Sequence, residues 1–179
     1  MKNLVVEAAY PLNFREEDAK KLGEHLRNRH SVDLIGIKRV GISNFLRFFL
    51  NHKDITRAYI HANEKDMFIA VDMNDLVEID TNQFWLLTFK RIIDTLETYD
   101  IQMATKKHLN SLFIEAIKTK DLFFTIDSIR HSLNEIIKLD YLPTIFLLRF
   151  DRLKHIISSD FFSNLQGLRD GTLEKLAYV

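Results

Sequence analysis

Apolar residues recur along this chain in two rhythms that alternate. Residues 15–28 place Ala19, Leu22 and Leu26 at helical spacing. Residues 31–37 then carry Val32, Leu34 and Ile35 as a short run that predicts a buried strand, and 43–51 return to a helical pattern. A short strand is expected at 59–61. Residues 66–72 contain Met67-Phe68-Ile69-Ala70-Val71, a continuous apolar stretch of the kind found in parallel strands covered on both faces. Residues 82–99 predict a strongly amphipathic helix through Phe84, Leu87, Ile92 and Leu96, and 106–118 and 121–139 predict two more. A second buried strand is expected at 142–150, a helix at 160–170 and a final strand at 175–179. Strands alternating with helices predict an α/β fold: a three-layer parallel sheet flanked by helices, over 1–179 as one domain. Residues 1–30 form its N-terminal segment and helix, and 31–179 the sheet and its flanking helices.

Between the first expected strand and the helix that follows lies Gly36-Ile37-Lys38-Arg39-Val40-Gly41-Ile42-Ser43. This is the frame of a phosphate-binding P-loop: strand, glycine, four residues, glycine, one residue, Ser, helix. Glycines allow successive backbone N–H groups to point into one concavity, and the helix adds its unpaired N–H groups and positive dipole end. The candidate nucleotide-binding residues are therefore Gly36, Lys38, Arg39, Val40, Gly41, Ile42, Ser43 and Asn44. One position departs from the frame, since Ile42 stands where the motif has Lys. A close charge pair near a protein surface is worth on the order of 4 kcal/mol before solvent losses. Its loss weakens nucleotide binding by roughly two to three decades.

Composition narrows the choices. The chain has 179 residues, 46% hydrophobic and 28% charged, as ordinary globular proteins do. The 25 basic and 25 acidic residues cancel, which removes any bulk electrostatic case for nucleic acid. Zero Cys excludes disulfides, thiolate catalysis and Cys-based zinc sites, and fits a reducing compartment. The first residues, Met1-Lys2-Asn3-Leu4-Val5-Val6-Glu7, lack a signal peptide's apolar region, and no run is long enough to span a bilayer, so a cytoplasmic protein without a membrane contact is expected.

Taken in order, these elements resemble the nucleotide-binding domain of AAA+/STAND-type P-loop ATPases over most of the chain. The resemblance rests on Leu26-Arg27-Asn28-Arg29-His30 before the first strand, on the Gly36–Ser43 loop, on 142–153 at the place of the Walker B strand, and on 164–179 at the place of the sensor helix and strand. By that analogy the strands order as 31–37, 175–179, 142–150, 66–72. The resemblance also implies ATP or ADP with Mg²⁺, with Ser43 as a metal ligand. Yet the two acidic Walker B positions fall on Leu148 and Arg149, which neither hold a hydrated cation nor accept a proton. Asp151 is the one nearby acid, the candidate for catalysis and for Mg²⁺ if the site is active. The chain stops at Val179, after the expected sensor strand. By the resemblance, a sensor residue, an arginine finger and a further strand are missing, and an exposed strand edge favours self-association or a protein partner.

Other candidates read more simply as structure. The acidic run 72–80 lacks a Ca²⁺-loop glycine and suits a strand-to-helix connection with caps such as Asp80 or Asn82. The seven His are scattered, with no metal-binding helical pair. The aromatic groups at 45–50 and 122–124 have the spacing of core packing rather than of a base-stacking surface. The expectation is a degenerate P-loop domain that does not hydrolyse nucleotide and acts as a switch, scaffold or oligomerisation module. Two alternatives stay open: a working ATPase using Lys38 or Arg39 with Asp151, and an accessory protein in which the old phosphate nest meets a nucleic-acid backbone.

Overall fold

The computed structural model describes residues 5–37, 39–60 and 65–179. Its centre is a parallel sheet of three strands, β1 (Lys65–Asp72), β2 (Tyr141–Leu148) and β3 (Ala177–Tyr178), ordered β1-β2-β3. β1 and β2 pair over eight residues, from Lys65 opposite Tyr141 to Asp72 opposite Leu148. β3 is held by the Val179 N–H donating to the Ile145 carbonyl (3.0 Å) and the Leu147 N–H to the Val179 carbonyl (2.7 Å). These three strands stand in the expected order.

Helices cover both faces, and the alternation of side chains along the strands decides which face meets which. Met67, Ile69, Val71 and Ile145 join one apolar cluster with α3 (Thr81–Leu96), α4 (Met103–Thr119), α5 (Leu122–Lys138) and α6 (Ser159–Gly171). Phe146 and Ala177 join the other, with α1 (Glu16–Arg27) and α2 (Ile42–Asn51), and Phe68 and Leu148 pack against it. α3 and α5 lie on the sheet, while α4 packs on those two helices and buries only Leu109 and Ala116 fully. The caps are written in the sequence: Asp80 accepts the Gln83 N–H (2.8 Å), Asp121 the Phe124 N–H (2.7 Å) and Ser158 the Phe161 N–H (3.2 Å). The aromatic residues of α2 are core, with Phe45, Phe48 and Phe49 buried, whereas Phe123 is exposed.

Two expected strands are absent. Residues 31–37 are not a strand: the Val32 N–H donates to the Tyr178 carbonyl (2.8 Å) and the Tyr178 N–H to Ser31 Oγ (3.2 Å), but they form no ladder. Only Val32 and Leu34 are half-buried, and Ile35 and Ile37 are 87% and 81% exposed. The reason is the neighbour: β3 is two residues long, so nothing continues the pairing. Residues Thr56–Ile60 form a π-helical turn instead of the strand expected at 59–61, and His61 lies outside the described residues. Arg27 selects that turn by donating from Nε to the Ile60 carbonyl (2.8 Å) and from a terminal nitrogen to that of Tyr59 (3.3 Å). The strand expected at 142–150 ends at Leu148, since Arg149 takes a left-handed conformation (φ 57°) and Phe150–Leu153 coil into a 3₁₀ turn. Among the described residues no helix is long and apolar enough to cross a membrane.

Candidate functional site

In a parallel sheet the strands end on a common edge, and a ligand cleft there is the general expectation. Here that edge carries a cavity of about 1140 Å³, bounded by residues 31–37 and 39–43, the first turns of α2, and the ends of β1, β2 and β3. Of the residues proposed from sequence, it brings together Gly36, Arg39, Val40, Gly41, Ile42, Ser43 and Asp151. Asn44 is exposed in the first turn of α2 and does not line the cavity, and Lys38 lies outside the described residues.

The loop is shaped by its two glycines for different reasons. Gly41 has φ 85°, a conformation that costs a side-chain-bearing residue roughly 1 kcal/mol, and it starts α2 with its carbonyl accepting the Phe45 N–H (3.0 Å). Gly41 has no side chain to cap that end, and among the described residues no other side chain accepts from the first-turn N–H groups of α2. Gly36 is needed for close approach: a Cβ there meets Ile42 Cδ1 at 2.6 Å and Val40 Cγ1 at 2.8 Å. Ile42 thus folds back against the start of the loop. From outside, Arg15 donates to the Val40 carbonyl (3.4 Å) and stacks on Phe45 with its guanidinium carbon 5.1 Å from the ring centre.

Facing the loop is a group of charged side chains at the ends of β1 and β2. Asp72, last in β1, lies opposite Leu148 and lines the cavity. Arg149 donates from Nε to Asp72 Oδ1 (2.8 Å) and pairs a terminal nitrogen with Oδ2, and the Asn74 N–H also donates to Oδ1 (2.9 Å). Arg47, one turn into α2, pairs with the buried Glu7 at 3.1 Å. Arg152 donates to the Met73 carbonyl (3.0 Å) and to Asn74 Oδ1 (2.5 Å). Partial burial, and next the charges of Arg47 and Arg152, lower the pKa of Arg149, against a smaller opposing effect of Asp151. The Glu7 carboxyl is held below its usual range by a backbone hydrogen bond first, with burial opposing and Arg47 assisting. Burial pushes the Tyr178 hydroxyl, whose proton goes to the Leu165 carbonyl (3.0 Å), far up.

Sequence reasoning assigned Asp72 to a solvated, capping run. It does cap Asn74, and Asp75 and Asp80 are likewise used by Arg91 and by α3. What that reasoning missed is the register that places Asp72 beside the expected Walker B position. The signal is a strand-terminal acid in a parallel sheet.

These residues do not fit a Mg²⁺ site built on strand-end carboxylates. Asp72 already receives both arms of the Arg149 fork, Leu148 is apolar, and Asp151 sits exposed on the 3₁₀ turn. Among the described residues no three His, Asp or Glu side chains gather as metal ligands. Comparison with protein-family models, with curated proteins and with solved structures finds no match to this chain.

Proposed function

We propose that the chain is a degenerate P-loop domain of AAA+/STAND type that binds the phosphates of a nucleotide weakly and does not hydrolyse it, serving as a switch, scaffold or oligomerisation module. The observation that carries this reading is the shared cavity of the Gly36–Ser43 loop, the uncapped start of α2 and the end of β2. A helix start without a side-chain cap, next to a glycine-bounded loop, is suited to anions, although the Val40 N–H is already given to the Ile37 carbonyl (3.2 Å). Hydrolysis needs an acceptor for the proton of the attacking water and charge at the γ-phosphate. Ile42, Leu148 and Arg149 supply neither a base nor a phosphate-bound lysine. Function as a switch then rests on ligand-dependent ordering of the loop, which is thinly held by the rest of the fold.

A fluorescent ATP analogue titrated against the native chain and an Ile42→Lys variant tests this directly. The expected result is weak binding by the native chain, a clear gain in the variant, and no phosphate release by the native chain. Turnover that disappears in Asp151→Ala establishes the rival ATPase reading, for which the one favourable observation is that Asp151 lines the cavity.

A further inference from the structure

The misfit with Mg²⁺ and the arginines that crowd the same edge have one explanation. We propose that Arg149, positioned by Asp72, together with Arg47 supplies the positive charge that a divalent cation otherwise brings, so that the cavity holds the phosphate chain of a nucleoside di- or triphosphate free of metal. The proposal rests on the phosphate-binding reading above and extends it to the ligand's charge state and to two residues.

Two features carry it. First, the Arg149–Asp72 pair is a positioning device. Nε and one terminal nitrogen are spent on the carboxylate, and the fork geometry fixes the plane of the guanidinium while leaving further N–H donors. Arg149 is half-buried and lines the cavity directly after β2, in the position where the family's pattern has an acid. Second, Arg47 lines the cavity from α2, four residues after Ser43 and so on the same helical face. Arg47 and Arg149 line the same cavity, and Arg47 is held in place by its ion pair with Glu7 at 3.1 Å. Both guanidiniums are thus held by carboxylates and keep further N–H donors, and arginine is suited to phosphate because its parallel N–H groups match two oxygens at once. Asp72 is engaged by Arg149 and not open to a cation; Asp33 and Asp151, both exposed, are the other acids that line the cavity.

The test is a titration of the full chain with a fluorescent ATP analogue in EDTA and again in Mg²⁺, with inorganic tripolyphosphate as competitor. Binding unchanged by EDTA, weakened about tenfold or more in Arg149→Gln and less in Arg47→Gln, is the expected result. Tripolyphosphate displaces the analogue if the phosphate chain is what the site holds. Near-UV circular dichroism checks the folding of each variant. If Arg149→Gln does not fold, Arg47→Gln decides, because that side chain is half-exposed and the glutamine keeps an N–H donor for Glu7. Binding that requires Mg²⁺, that survives folded Arg149→Gln and Arg47→Gln unchanged, or that tripolyphosphate leaves untouched overturns the proposal. A native chain that binds nothing while Ile42→Lys binds overturns it too, yet leaves the cradle reading standing. Failure of both chains to bind removes both.

Discussion

β1 and β2 are locked together over eight register pairs, with apolar clusters on both of their faces, whereas the segment 31–37 meets β3 through the Val32–Tyr178 hydrogen bond and turns Ile35 and Ile37 to solvent. One side of the sheet is a packed frame and the other a loosely attached loop, and the candidate site lies where they meet. The contrast teaches a division of labour. Side chains from the frame, Asp72 and Arg149, are placed by strand register and by each other, while the loop contributes backbone held by few contacts. Regions that respond to ligands come from the less stable end of a structure, because ordering them costs little when few contacts must be rearranged.

Substitutions should divide along that line. The largest loss is expected in the frame. Phe84, buried in α3 with its ring 4.8 Å from that of Phe161, loses about 3–5 kcal/mol of stability on Phe84→Ala, measured by urea unfolding. Next comes Gly23→Ala, where the new Cβ meets the Tyr59 carbonyl oxygen at 2.3 Å. Backbone must move there, so about 1–3 kcal/mol is lost. Gly36→Ala is the paired control. Its Cβ meets the ends of the Ile42 and Val40 side chains, so it costs less stability than Gly23→Ala while displacing Ile42 and altering nucleotide binding. Asp72→Asn removes the charge partner of the partly exposed Arg149 and costs about 1 kcal/mol, with a weakening of ligand binding as the guanidinium loses its fixed plane. The smallest effect belongs to Ile35→Ser at the exposed loop, within about 0.5 kcal/mol of native. A loss there as large as that of Phe84→Ala breaks the comparison, for it means the loop is part of the frame.

The frame was legible in the sequence because its signals are local. Amphipathic spacing with Asp80, Asp121 and Ser158 at the caps marks the helices to within a few residues, and the runs at 66–72 and 142–150 mark the paired strands. Where sequence reading failed, the deciding partner lay far away along the chain. Val32, Leu34 and Ile35 form the same pattern whether or not a neighbouring strand exists to receive their hydrogen bonds, and β3 is too short to do so. Tyr59 and Ile60 look extended until Arg27 draws their carbonyls into a helical turn. Asp72 and Arg149 are 77 positions apart, so nothing local couples them, and the acid reads as a cap until the register brings it to the edge of the cavity. The glycine frame of the loop was readable, and so was the missing lysine. The close approach of Ile42 to Gly36 was not, because it depends on how the loop folds back on itself.

Amide hydrogen exchange of the native chain with and without saturating ATP tests the central claim in one experiment, since it reports both regions at once. The account predicts slower exchange confined to residues 36–47 and 147–152, with β1 and α3 to α5 unchanged. No protection at any ATP concentration, or protection centred outside that edge of the sheet, contradicts it.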